Sequence, residues 1–499
     1  MTHKFINGLY ISSVSLLTDL YQLTMAYGYW KAGMADKEAV FNLFFRKHPF
    51  GGGLTINCGL ELAIDFVEHF NFTDDDVEYL STLTGNDDEP LFENDFLEYL
   101  KTLKFTCDID AIPEGTVVFP QEPLLRIRGP ILQCQLLESP LLNIINFQSL
   151  IATKSARMSM VTKGEPVLEF GLRRSQGMDG AVSASRAAFI GGCSATSNVL
   201  AGKLFGIPVK GTHAHSWVMS FDSELEAFET YAKIMPNNCI FLVDTFDTLE
   251  GVKAAIIVGN QLKEKGYKMA GIRLDSGDLA YLSIEARKLL DKAGFENTSI
   301  IASNDLDENI IASLKEQGAM INVWGVGTKL MTAYDQPALG GVYKLAAIKN
   351  NDGEWQYKVK LSEQTIKIST PGIQQVRRYI RDGEYVSDMI FDLENPPFGD
   401  ESTMIDPMDF TRRKKLDNSG NFEDLLVPIF KKGELVYELP YIEDIKERVK
   451  VQLNMFHEGI KRFVNPHNYP VGLEKGLYDF KTELILKLRS KKENSKAKS

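Results

Sequence analysis

Between residues 165 and 350, short β-rich runs alternate with helical segments, and this alternation limits the fold more than any other feature of the chain. The runs fall at 166–170, 207–211, 239–243, 269–274, 299–302, 320–324 and 342–348, and helical patterns occupy 248–264, 279–292 and 307–317. Strands separated by helices predict parallel β-structure with crossover connections. The number of runs favours an irregular (β/α) barrel over an open sheet. Most of the runs end in small or polar residues: Glu169, Thr212, Asp244-Thr245, Asp275-Ser276, Ser303-Asn304 and the glycine-rich stretch 325–328. In a barrel those carboxyl ends gather on one face, the usual place for chemistry.

The flanking regions differ in texture. At 499 residues, two or three domains are expected. We place an α/β N-terminal domain at 1–150, completed by later segments, the α/β barrel at 151–350, and a β-rich and helical extension at 351–499. In the first region, LTDLYQLTMAYGYWKAG reads as an amphipathic helix entered through Thr18 or Asp19. EAVFNLFFRKHPFGGG reads as a strand running into a turn, GTVVFPQEPLLRIRGP as a hairpin, and ESPLLNIINFQSLIATKSARM as a long helix. In the last region, EWQYKVKLS and QQVRRYIRDGEYVSDMIF read as exposed β-like runs, with Val376-Arg377-Arg378 at the surface, and a terminal helix is expected over 442–456.

Several classes of function are disfavoured. No apolar run approaches the roughly 20 residues that span a bilayer. The opening MTHKFINGLY lacks a signal-peptide core. The five cysteines are scattered and show no zinc-ligand spacing, so a reducing cytoplasm fits best. With 55 basic against 67 acidic residues, the net charge of −12 argues against a nucleic-acid binder, and the basic tail RSKKENSKAKS reads as a frayed end.

Against that acidic background, residues 180–221 contain no Asp or Glu, whereas roughly 6 would be expected from composition. The span carries Arg186, Lys203, Lys210, His213 and His215 and should attract anions. Just before it, Phe170 and Arg173 can stack and pair with a planar aromatic acid, or be a core ring and a surface arginine. Spaced two apart, His213 and His215 share a side unless a helix begins between them; each can be reactive or merely structural. Asp244 can orient an imidazole across the barrel mouth, with Asp247 or Thr245 capping the next helix. In Arg273-Leu-Asp-Ser-Gly-Asp278, Asp275 can bind ribose hydroxyls or Mg²⁺ while Asp278 caps a helix; a plain helix-start turn is the alternative. Gly325, Gly327 and Thr328 stand at a strand-to-helix junction whose bare N–H groups suit a phosphate.

The strings LLTDLYQLTMAYGYW, FFRKHPFGGG, EFGLRRSQGMDGA, GTHAHSWVMSF, FLVDTF, IRLDSGDL, ASNDLDE and WGVGTKL, in this order, closely resemble the nicotinate phosphoribosyltransferase family. KLS…STPGIQQVRR, GELVYELP and NPHNYPVGL extend the resemblance over nearly the whole chain. It implies a type II phosphoribosyltransferase fold and transfer of a phosphoribosyl group from phosphoribosyl diphosphate to nicotinate. The products are nicotinate mononucleotide and diphosphate, with Mg²⁺ and ATP hydrolysis, as the entry step of NAD salvage. It also implies roles for residues. His215 would be transiently phosphorylated, with Asp244 as its carboxylate partner. Phe170 and Tyr21 would enclose the pyridine, Tyr21 arriving from the second subunit of a homodimer. Arg173 and Arg273 would bind nicotinate and phosphate groups, and Arg46 a phosphate across the interface. Asp275 would hold ribose or metal, Gly325, Gly327 and Thr328 the 5′-phosphate, and Ser194 to Thr196 would face the pyridine carboxylate. The stretch 192–198 carries no acid, which favours nicotinate over nicotinamide. A nicotinamide-using enzyme and a non-catalytic nucleotide sensor are the alternatives.

Overall fold

The computed structural model describes residues 13–496, which divide into two compact units: 13–149 with 338–441 and 451–496, and 150–337 with 442–450. The opening MTHKFINGLY lies outside the described residues.

The second unit is built on six parallel strands, in the order Ala195–Thr196, Val167–Glu169, Val323–Val326, Ser299–Ala302, Gly271–Leu274 and Ile240–Leu242. Helices Thr248–Glu264, Leu279–Lys292 and Glu308–Glu316 make the crossovers. Phe241, Ile272, Ile300, Trp324 and Val326 are wholly buried, as expected of strands covered on both faces. Asp247, Asp278 and Asp307 start these helices by accepting the N–H groups of Glu250, Tyr281 and Ile310. The two edge strands, Ala195–Thr196 and Ile240–Leu242, do not pair with each other. Residues 208–213 fill the gap: Val209 bridges Thr196, and the Leu242 N–H donates to His213 Nε2 at 3.4 Å. The expected run at 207–211 is therefore an irregular stave, which is why the barrel departs from a regular one.

The first unit holds two larger, largely antiparallel sheets and a two-stranded one. In one, strand Glu38–Phe45 lies between Gly341–Lys349 and Leu125–Pro130, and Asp108–Ala111 follows. The run at 342–348 thus belongs here and not to the barrel, so the barrel segment ends at 337 rather than 350. Its apolar residues read alike in parallel and antiparallel pairing, and spacing alone does not separate the two. The expected hairpin at 115–130 is also absent: Val117–Val118 pairs with Thr55–Ile56, while Leu125–Pro130 pairs elsewhere.

The other sheet centres on the hairpin Gln374–Arg381 and Glu384–Asp392. Arg378, expected at the surface, is fully buried here. Asp388 stands directly opposite it across the hairpin and ion-pairs at 2.6 Å, and the rings of Phe119, Tyr385 and Phe456 lie 4.9–5.8 Å from the guanidinium. A cross-strand carboxylate in a buried aromatic box accommodates the charge. The terminal helix expected over 442–456 is present as Ile442–Met455, but a further helix, Lys475–Lys496, follows and takes in the basic run as far as Lys496, the rest lying outside the described residues. All five cysteines are buried, and none is in a disulfide. No helix among the described residues is long and apolar enough to cross a membrane.

Candidate active site

The carboxyl ends of the parallel strands open into a cavity of about 310 Å³, lined among others by Phe170, Arg173, Arg174, Ser197, Thr212, Arg273, Asp275, Gly325, Gly327 and Thr328. One expected cluster is therefore assembled at one place by five strand ends and the 208–213 stave.

Phe170 follows strand Val167–Glu169, and Arg173 sits on the short 3₁₀ turn Leu172–Arg174, exposed to solvent. The ring is seated against Gly325: a Cβ there would lie 2.9 Å from Phe170 Cδ2. Gly171 is pressed as closely, since its Cβ would lie 2.8 Å from the carbonyl oxygen of Gly327. Bare backbone at 171 and 325 thus brings the aromatic wall against the glycine-rich turn.

Arg273 is the last residue but one of strand Gly271–Leu274. Its Nη1 donates to Thr212 Oγ1, while Nε is buried with no hydrogen-bond partner. Burial lowers the guanidinium from its ordinary value, opposed by Asp275 and Asp244. An unsatisfied donor of this kind calls for an anionic ligand.

His215 begins helix His215–Met219, so the two histidines diverge. His213 packs against Tyr231, with ring centroids 5.0 Å apart, and burial, with Arg273 and His215 adding, pushes it down to about 4. His215 remains partly exposed. Its Nδ1 contacts Thr245 Oγ1 at 3.1 Å, and its Nε2 lies 3.7 Å from Asp275 Oδ2. The expected pairing of His215 with Asp244 is not what the structure has. Asp244 Oδ2 instead accepts the Asp275 N–H at 2.9 Å and the Ser276 hydroxyl at 2.6 Å. Asp244 and Asp275 end neighbouring strands, so Asp244 braces the turn that carries Asp275, and Asp275 faces the imidazole. Asp244 Oδ1 is buried without a partner. Close by, burial, with Asp244 and Asp247 adding, raises the Glu224 carboxyl to about 7.

Thr196 does not line the cavity. It is buried, and its hydroxyl donates to Glu169; Ser194 precedes the strand at its amino end, and Ser197 is the residue at the wall. Glu169 is itself fully buried and also accepts the Gly171 N–H and the Ser185 hydroxyl. Sequence reasoning read Glu169, Thr212 and Ser303 only as polar strand ends and missed Ser185 altogether, because hydrogen bonds between distant segments leave no spacing signal. Arg186, counted in the acid-free span, is wholly buried over the Phe205 ring.

Tyr21 and Arg46 belong to the other unit. Tyr21, on helix Leu20–Lys31, is 48% exposed beside exposed Leu17, Leu20 and Met25. Arg46 lines a cavity of about 650 Å³ in its own unit, and its Nε is buried without a partner. Its charge, with that of Lys360, adds to the burial that lowers the Lys344 ammonium. This cationic group was missed because Lys344 and Lys360 sit on runs read only as β-structure.

Among the described residues, no group of three or more His, Cys, Asp or Glu side chains could hold a metal by itself. Two carboxylates, Asp275 and Asp305, stand at the cavity. That donor set suits Mg²⁺, which is commonly bound by one or two carboxylates together with substrate phosphates.

The nicotinate phosphoribosyltransferase (NAPRTase) family model matches residues 166–369, and the N-terminal and C-terminal domain models of the same family match 16–146 and 373–481. The nicotinate phosphoribosyltransferase of Bacillus subtilis is 46% identical over 96% of both chains. That of Homo sapiens is 35% identical over 93% of this chain and 95% of its own. The crystal structure of human nicotinic acid phosphoribosyltransferase superposes with a TM-score of 0.82 at 33% identity, covering 94% of this chain and 99% of that one. A nicotinate-nucleotide pyrophosphorylase from Pyrococcus furiosus, 22% identical, shares the fold with a TM-score of 0.68 over 91% of this chain and 99% of its own. With its three regions matched in order and its relatives similar from end to end, the chain belongs to the nicotinate phosphoribosyltransferase family.

Proposed function

We propose that the cavity at the barrel mouth transfers the 5-phosphoribosyl group of phosphoribosyl diphosphate to the ring nitrogen of nicotinate. The observation that carries this reading is the buried, partnerless Nε of Arg273 beside Phe170 and Arg173, in a chain of this family. Phe170 offers a face for the pyridine, and Arg173 a guanidinium for its carboxylate. The N–H groups and hydroxyl at Gly325, Gly327 and Thr328 receive the 5′-phosphate. Arg273 offsets charge on the departing diphosphate. Nicotinate's own nitrogen is the nucleophile, so these residues orient and neutralise without acting as a strong base. When bound, Mg²⁺ would neutralise diphosphate charge, and Asp275 is the residue to hold it together with the substrate's oxygens.

The same reading assigns ATP coupling to His215, which accepts a phosphoryl group on its imidazole. Asp275 and Thr245 hold the ring, and Asp244 acts through the turn it braces. The exposed apolar stripe of Leu17, Leu20, Tyr21 and Met25 favours a homodimer in which Tyr21 and the cations Arg46, Lys344 and Lys360 complete the partner's site. Nicotinate is favoured over nicotinamide because residues 192–198, which bring Ser197 to the wall, carry no acid, and the Glu169 carboxylate is already engaged by three donors.

Labelled ATP should leave an acid-labile, base-stable phosphoramidate on the wild-type chain and none on His215→Ala. A His215→Ala variant with full ATP-coupled turnover overturns the assignment. Faster turnover on nicotinamide than on nicotinate would reverse the choice of substrate.

A further inference from the structure

Glu169 poses an energetic question. It is fully buried, and no basic side chain among the described residues pairs with it. A buried carboxylate without a cation is costly even when it is hydrogen-bonded, and a glutamine has nearly the same shape without the charge. Stability alone therefore does not account for an acid at this position.

The partners of the carboxylate show what it does. Oε1 accepts the Gly171 N–H, which fixes the turn between Phe170 and Arg173. Oε2 accepts the Ser185 hydroxyl at 3.0 Å, on helix Met178–Ile190, and the Thr196 hydroxyl. Thr196 Oγ1 in turn accepts the Asn198 N–H at 2.9 Å, and the Glu169 carbonyl accepts the Ser197 N–H at 2.8 Å. One side chain thus ties the segment carrying the aromatic and guanidinium groups to the segment carrying Ser197. Because Gly171 abuts the Gly327 carbonyl, the same anchor also sets the aromatic wall against the glycine-rich turn.

We propose that Glu169 is a positioning residue for nicotinate: from behind the wall it fixes the separation of Phe170, Arg173 and Ser197, and so the placement of the pyridine toward the phosphoribosyl group. This rests on the assignment of the cavity to nicotinate. A carboxylate does this better than an amide because both oxygens accept, whereas a glutamine turns a donor toward Ser185 and Thr196, whose oxygens already accept from Asn198.

The test compares Glu169→Gln, Thr196→Val and Phe170→Ala in the full-length enzyme by steady-state kinetics in both substrates and by thermal melting. Glu169→Gln is expected to raise the KM for nicotinate about tenfold, leave that for phosphoribosyl diphosphate within about twofold, and melt no lower than wild type. Thr196→Val should shift the nicotinate KM in the same direction by a smaller factor, and it keeps the test alive if Glu169→Gln does not fold. A nicotinate KM within about twofold of wild type in both variants, while Phe170→Ala raises it about tenfold, refutes the role of Glu169 and leaves the pocket assignment standing. A lower Tm with all constants worsened in parallel makes Glu169 merely structural. If Phe170→Ala leaves the nicotinate KM unchanged, the pocket assignment fails and this inference with it.

Discussion

Replacing Gly325 with alanine tests the aromatic wall with a single methyl group. The new Cβ would lie 2.9 Å from Phe170 Cδ2, 3.1 Å from Cε2 and 3.3 Å from Ser303 Cβ. Ordinary contact begins at 3.4 Å, so the ring must retreat by 3.4 − 2.9, about 0.5 Å, and the free space for that retreat is the cavity itself. Overpacking of this kind costs about 1–3 kcal/mol. A ring displaced into the pocket shifts the pyridine by a similar distance, and misplacement approaching 1 Å can cost ~10²-fold in rate. We therefore expect kcat/KM for nicotinate to fall roughly 10- to 100-fold, equivalent to ~1.4–2.8 kcal/mol, with the KM for phosphoribosyl diphosphate far less affected. The assay is initial-rate kinetics with nicotinate varied at saturating phosphoribosyl diphosphate, alongside a melting curve. Unchanged nicotinate kinetics in a protein that melts like wild type would show that Phe170 does not form the pyridine wall.

Three further outcomes follow from buried charge. Asp388→Asn leaves Arg378 buried without its anion and should cost about 3–5 kcal/mol, seen as a lowered denaturation midpoint; a neutral result would mean that the pair is not buried in solution. Glu224, raised to about 7 by burial and then by Asp244 and Asp247, holds a proton in the folded state that the unfolded chain releases above about pH 4.5. Stability should fall as pH rises from there to about 7, so Glu224→Gln should melt above wild type near pH 8 and converge with it near pH 5, and a pH-independent gap would refute this. His213 is depressed to about 4, so its contribution is complete above about pH 6.5 and is lost as pH falls toward 4. His213→Gln should flatten that acid limb of the melting profile, and an unaltered limb would point to other groups.

The parts of this molecule that were legible in the sequence are those fixed by local chemistry. The helices Thr248–Glu264 and Leu279–Lys292 were read to the residue because Asp247 and Asp278 stand before them and cap them. Phe170, Arg173, Arg273, Asp275 and the glycines at 325 and 327 meet at one cavity because parallel strands deliver their carboxyl ends to one face. Contacts between distant segments were not legible. The strand Gly341–Lys349 looked like another barrel stave, and Arg378 looked like a surface residue because Asp388 neutralises it only once the hairpin is paired. Asp244 looked like the imidazole's partner because strand-end position says nothing about which carboxylate a side chain from another loop will meet.

The pairing of Glu38–Phe45 with Gly341–Lys349 also bears on synthesis. At about 5–20 residues per second, the 296 positions from 45 to 341 take a ribosome roughly 15–60 s to add. Through that interval one edge of a largely apolar strand has no partner, a state prone to aggregation. Expression yield should therefore respond to chaperone supply and elongation speed more than to the strength of the finished sheet, and a fragment cut before residue 341 would carry this exposed edge permanently.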